Sequence, residues 1–106
     1  MVEELSPRQF VDLRDAGELW QLLDVREPWE IETASVAGCI TIPMADIPAR
    51  RNELDEHLPL AVLCHSGVRS ARVAAYLAAT GYERVANIAG GIDAWSLEID
   101  ATIPRY

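Results

Sequence analysis

Cysteine is scarce in this chain. Cys39 and Cys64 are the only two in 106 residues, which excludes a disulfide framework. They do not form a Cys-x-x-Cys pair, and no histidine lies near them except His65 beside Cys64. No zinc-ligand spacing is present, and no metal site is expected. Long apolar runs are also missing, since none approaches the roughly 18 residues that suggest a membrane span. Met1-Val2-Glu3-Glu4-Leu5 lacks the basic and apolar regions of a secretory signal, so the expected location is cytoplasmic. In such a chain a structural disulfide between Cys39 and Cys64 is not expected. There is no internal repeat and no low-complexity segment. Positive charge is the minority: 9 basic against 17 acidic residues, a net charge of −8. That excludes nucleic acid or an anionic membrane as a general partner.

What is present suffices for one packed domain covering residues 1–106, because half of the residues are hydrophobic. Ser6-Pro7-Arg8-Gln9 has the form of a capped helix start, with Gly17 as its stop. Trp20–Val25 reads as a buried strand ending in polar Asp24 and Arg26. Pro28 opens a brief helix. Cys39–Ile42, stopped by Pro43, is β-branched and strand-like. Ala45–Leu58 has helical spacing, with Pro48 in its first turn and Pro59 after its end. Leu60–Leu63 is fully apolar, as in a central parallel strand covered on both faces. A helix to about Thr80 follows a short loop, then a strand at Val85–Ile88, a Gly90-Gly91 turn and a short helix at Ile92–Trp95. Leu97–Tyr106 gives no clear signal. This alternation predicts an α/β fold with a mainly parallel central sheet of about five strands flanked by helices. Such sheets bind ligands at the carboxyl ends of their strands, where Asp24, Arg26 and Cys64 fall.

The segment Cys64-His65-Ser66-Gly67-Val68-Arg69-Ser70 joins a strand end to a helix start. Helix-start N–H groups lack intrahelical partners and carry partial positive charge. Anions bind there, and a thiolate there is stabilised. Cys64 is therefore the candidate nucleophile rather than a buried strand cysteine. Gly67 lets the loop curl so that its N–H groups converge. Arg69 is unfavourable at a helix N-terminus unless it meets an anionic substrate or a carboxylate such as Asp24. His65 either adds charge or acts as a base beside the thiolate, or faces solvent. Ser66 and Ser70 either donate to the bound atom or cap the helix, capping being the default expectation. Val68 places an apolar side chain in the loop. Asp24 and Arg26 are either strand-end polar residues or supports of the site. Cys39, Trp29, Trp95 and the Val73, Tyr76, Leu77 stripe are expected to pack in the core.

Nearly the whole chain resembles the rhodanese domain family. Leu23-Asp24-Val25-Arg26-Glu27 is similar to its first strand motif, Gly38–Pro43 to its Gly-Ala-x-x-Ile-Pro stretch, and Cys64–Ser70 to its active-site loop. Gly81–Val85 and Gly90–Trp95 match its C-terminal signature. Ala34–Cys39 departs from the usual Gly-His-Ile-Pro-Gly-Ala. The resemblance implies a sulfurtransferase of the thiosulfate:cyanide type. Cys64 would take sulfane sulfur from a small anionic donor, hold it as a persulfide, and pass it to cyanide or a thiol. It also implies substrate contacts from His65, Ser66, Gly67, Val68 and Arg69, support from Asp24, Arg26 and Ser70, and no metal or organic cofactor. The alternative is a persulfide relay to a partner protein in thio-cofactor or tRNA-thiolation pathways. A phosphatase or arsenate reductase, and a non-catalytic interaction module, are further alternatives. Cys64 to Arg69 is Cys-x4-Arg, one residue shorter than the phosphatase cradle, which favours sulfur over phosphoryl chemistry.

Overall fold

Strands whose side chains are apolar on both faces need cover on both faces, and the fold supplies it. A computed structural model describes residues 2–106. Its strands are β1 (Val2–Leu5), β2 (Gln21–Asp24), β3 (Ile40–Thr41), β4 (Leu60–Leu63) and β5 (Val85–Ile88). They form one sheet in the order β1-β5-β4-β2-β3, with every pairing parallel. The helices are α1 (Pro7–Asp15), α2 (Pro28–Thr33), α3 (Ile47–Arg50), α4 (Val68–Ala79) and α5 (Gly91–Glu98).

Successive residues of the central strands alternate between two cores, as the two-residue period of a strand requires. Leu23, Leu60, Val62 and Val85 pack with Val73 and Leu77 of α4. Leu22, Ala61, Leu63, Ala86 and Ile88 pack with Phe10 of α1 and Ile92 and Trp95 of α5. β4 is buried at every position, so truncating Leu60 or Leu63 to alanine would cost about 2–5 kcal/mol. The α1 start is as expected: Ser6 Oγ accepts from the Gln9 N–H at 3.1 Å while the Ser6 N–H donates to Gln9 Oε1 at 2.8 Å.

Several expectations are corrected. Residues 2–5 form a strand that periodicity did not show. β1 is an edge strand with Glu3 and Glu4 in it, and among the described residues it pairs with β5 alone. Residues 45–58 do not form one helix. A 3-10 turn at Met44–Asp46 leads into α3, and a second at Arg51–Glu53 ends the run. The helical bond from the Asp55 N–H to the Arg51 carbonyl is replaced by tertiary partners. Asp55 N–H donates to Gln21 Oε1 at 2.9 Å, and the Arg51 carbonyl accepts from the Tyr82 hydroxyl at 2.5 Å. Leu54 then turns extended and enters the core. Tyr76 is 37% exposed and Trp29 61% exposed, so neither is core, whereas Trp95 is buried. No helix among the described residues is long and apolar enough to cross a membrane.

Candidate active site

β2 and β4 end side by side, with Asp24 opposite Leu63. Cys64 therefore emerges at the carboxyl edge of the sheet, in its middle strand. It is buried, and its Sγ accepts the Gly67 N–H at 3.1 Å and lies 3.3 Å from Ser70 Oγ. Burial by itself would push the Cys64 thiol up. The Ser70 hydroxyl and the backbone N–H groups of Ser70, Gly67 and Ser66 outweigh it, so the thiol lies below its ordinary value. This is the convergence of helix-start donors on sulfur that the loop sequence predicts.

Two features hold the loop in that shape. Gly67, the N-cap of α4, has φ +99°, and a Cβ there would crowd the Gly90 nitrogen at 3.2 Å. The first turn of α5 also reaches back. Ile92 N–H donates to the Cys64 carbonyl at 2.9 Å and Asp93 N–H to the His65 carbonyl at 3.2 Å. These α5 donors lack helical partners of their own, so loop and helix satisfy each other. Gly91 permits the approach, because a Cβ there would overlap the carbonyl oxygens of Cys64 and His65. That is the physical reason for glycine in the C-terminal motif.

Neither serine caps α4, contrary to expectation. The N-cap is Gly67, without a side-chain cap. Ser66 is exposed and contributes its backbone N–H. Ser70 is fully buried, and its hydroxyl also donates to Asn87 Oδ1 at 2.5 Å. One hydroxyl proton serves one acceptor at a time. Asn87 Oδ1 and Cys64 Sγ therefore share the single Ser70 donor. Asn87 Nδ2 in turn donates to the Gly67 carbonyl and to Glu4 Oε1, both at 3.1 Å.

Arg69 does not meet Asp24. It pairs in bidentate fashion with Glu30 of α2, Nη1 to Oε1 at 2.6 Å and Nη2 to Oε2 at 2.8 Å. Arg69 holds the Glu30 carboxyl down to about 2, against the opposing effect of burial. The Tyr106 hydroxyl donates to Glu30 Oε2 at 2.8 Å and accepts from Arg26 Nη1 at 2.9 Å. Arg26 is wholly buried and pairs with Asp24, Nη2 to Oδ2 at 2.6 Å. Its remaining donors reach the Glu30 and Ala34 carbonyls. Asp24 and Arg26 thus brace α2 and Tyr106, and their side-chain hydrogen bonds go there and to each other. The His65 ring stacks on Tyr106, with centroids 4.1 Å apart. Val68 is 63% exposed.

The structure therefore brings Cys64, Ser66, Gly67 and Ser70 together at the sulfur and sets Arg69, His65, Asp24 and Arg26 around it. Sequence reasoning missed Glu30, Asn87 and Tyr106. The one available signal for Glu30 was the demand of Arg69 for a carboxylate. Cys39 is a free thiol, half-buried against the α1/α5 core, and burial pushes it up to about 12. Among the described residues no cluster of His, Cys, Asp and Glu is arranged to hold a metal ion.

The fold and this loop define a class: parallel α/β domains that present a cysteine on a helix-start loop at a strand end. The family model for the rhodanese-like domain matches residues 6–98, and the chain belongs to that family. It is 40% identical over 94 residues to a sulfurtransferase of Allochromatium vinosum, covering 89% of this chain and 83% of that protein. It is 43% identical over 90 residues to the chloroplastic rhodanese-like/PpiC domain-containing protein 12 of Arabidopsis thaliana. That match covers 81% of this chain but only 30% of the plant protein, so the chain spans less than a third of that relative. The crystal structure of a rhodanese-like domain protein from Staphylococcus aureus superposes with a TM-score of 0.84 at 27% identity, covering 99% of both chains.

Proposed function

We propose that this chain is a sulfurtransferase that carries sulfane sulfur as a persulfide on Cys64. The observation behind this reading is the Cys64 sulfur, buried and lowered in pKa by backbone N–H groups and Ser70. The Cys64 thiolate attacks the outer sulfur of the donor, and a new S–S bond forms. The donor's own bond to that sulfur breaks, and its electron pair leaves with the remaining fragment. With thiosulfate the fragment is sulfite, and the charges balance: a thiolate and a dianion give an anionic persulfide and a dianion. The loop N–H groups then hold the negative terminal sulfur. Cyanide or a thiolate attacks that sulfur and regenerates Cys64.

Thiosulfate and cyanide form the simplest assay pair. Thiocyanate should appear with the wild type and not with Cys64→Ser; thiocyanate from both would sink the mechanism. A second reading is a persulfide relay to a partner protein. The Glu30–Arg69 pair favours it, because the loop's one arginine is already neutralised and offers little to a dianion. Rapid loading from a cysteine desulfurase with poor thiosulfate turnover supports the relay, and the reverse counts against it.

A further inference from the structure

We infer that the α4 stripe of Val68, Arg72 and Tyr76, with the apolar groove between α3 and α4, docks an extended acidic segment of a sulfur-accepting protein and leads its thiol to Cys64. This rests on the proposed sulfur transfer at Cys64 and specifies the kind of acceptor it serves.

Residues four apart share one face of a helix, about 6 Å apart along its axis. Val68, Arg72 and Tyr76 are all exposed, so the stripe is open along its length. It starts at the nucleophile, because Val68 follows Gly67, whose N–H donates to Cys64 Sγ. Beside its far end lies a groove of about 140 Å³ lined by Met44, Ile47, Pro48, Arg72, Val73 and Tyr76. A cavity of that size admits one benzene-sized apolar group. The Met44 N–H donates to the Val25 carbonyl at 3.0 Å. This wall of the groove therefore stands at the carboxyl edge of the sheet, where Cys64 also emerges.

Charge selects the partner. The chain carries −8, yet α4 holds two arginines and no acid. Arg69 is bound to Glu30, whereas Arg72 makes no ion pair among the described residues. Nor does Arg51, whose guanidinium lies 6.0 Å from the Tyr76 ring centroid. In the segment that walls the groove, Glu53 is held by Arg50 at 2.8 Å, which leaves exposed Asp46 against two uncompensated arginines. An acidic segment is attracted here and repelled by the acidic remainder of the surface. A second copy of this chain seated on the stripe would cover the loop that must deliver sulfur, so the occupant is a separate acceptor.

An extended chain matches the stripe in register. Its alternate residues face one side about 6.6 Å apart, close to the spacing of Val68, Arg72 and Tyr76. An apolar side chain enters the groove, a carboxylate two residues on meets Arg72, and a thiol two residues further lies beside Val68. The acceptor thiolate attacks the outer sulfur of the Cys64 persulfide. A new S–S bond forms, the bond to Cys64 Sγ breaks, and its electron pair returns to Cys64 as thiolate. An anionic persulfide and a thiolate stand on both sides of the step, so charge balances.

The test offers sulfur-loaded protein three end-blocked peptides as acceptors: Leu-Ala-Glu-Ala-Cys, Leu-Ala-Gln-Ala-Cys and Ala-Ala-Glu-Ala-Cys. Ratios between peptides within one protein cancel any loss of folded material, and Arg72 and Tyr76 are exposed, so replacing them empties no core. The Glu peptide should exceed the Gln peptide about fivefold in kcat/KM, the worth of one exposed ion pair. That preference should vanish in Arg72→Gln and at about 1 M salt. The Leu peptide should exceed the Ala peptide about tenfold, and Tyr76→Ala should lower that ratio. Equal rates for the Glu and Gln peptides, or a preference retained in Arg72→Gln, overturn the docking surface while leaving sulfur transfer standing. A dimer in sedimentation that Arg72→Gln dissociates assigns the stripe to a second copy and also overturns it. If neither peptides nor cyanide take sulfur, the sulfur-transfer reading fails. Fluorescence anisotropy of a labelled Leu-Ala-Glu-Ala-Ser peptide then judges the surface separately: weaker binding by Arg72→Gln than by the wild type upholds it, and equal binding overturns it.

Discussion

Replacing Glu30 by glutamine tests the electrostatic frame of the site. Glu30 is nearly fully buried and accepts both Nη groups of Arg69, the Tyr106 hydroxyl and the Glu27 N–H. Its carboxyl falls from 4.5 to about 2, chiefly through the Arg69 hydrogen bonds. At about 1.4 kcal/mol per tenfold change in proton affinity, this corresponds to about 3 kcal/mol of stability at neutral pH. Because the folded value is the lower one, that contribution is complete above about pH 4.5 and is lost as the pH falls through about 2. Glu30→Gln keeps the shape and removes the charge. Urea unfolding followed by tryptophan fluorescence should show a deficit of about 3 kcal/mol at pH 7, shrinking to roughly half by pH 3. A deficit of the same size at both pH values would refute the ion-pair reasoning and leave only lost packing. The same variant releases the charge of Arg69, so its kcat/KM for thiosulfate should rise relative to that for a monoanionic donor.

Ser70→Ala removes the side-chain donor that lies 3.3 Å from Cys64 Sγ. The pH at which iodoacetamide alkylation of Cys64 is half-maximal should rise by about one unit, the worth of a shared charge-assisted hydrogen bond. Gly91→Ala places a Cβ against the Cys64 and His65 carbonyls at φ +58°. It should cost at least ~1 kcal/mol in denaturant unfolding and slow Cys64 alkylation, because the loop must move. Arg26→Met strands the buried Asp24 carboxylate and frees the Glu30 and Ala34 carbonyls. A loss of about 3–5 kcal/mol is expected by urea titration.

The sequence revealed what is local and regular. Cys64–Arg69 is contiguous, so its chemistry is readable from residue order, and β4 announces itself by continuous hydrophobicity. The glycines at 67, 90 and 91 are legible as turns. Their tighter role, letting α5 touch the loop carbonyls, needs three dimensions. β1 was hidden because an edge strand carrying Glu3 and Glu4 lacks an apolar run. The break after α3 was hidden because Gln21 and Tyr82, distant in sequence, take over the hydrogen bonds of Arg51 and Asp55. The braces of the site were the least legible. Arg69 called for an anionic substrate or a carboxylate, and a strand end at the same edge of the sheet offered Asp24. The partner is Glu30, and Arg26 takes Asp24 instead. Tyr106 lies 76 residues from Glu30 in a tail without periodicity, so nothing local marks it.

The central claim is that Cys64 carries the transferred sulfur. Intact-protein mass spectrometry after brief treatment with benzenethiosulfonate or thiosulfate, without an acceptor, measures this directly. The wild type should gain one sulfur atom and lose it on addition of cyanide, while Cys64→Ser should gain none. A sulfur retained by Cys64→Ser, or no gain by the wild type with either donor, would contradict the account.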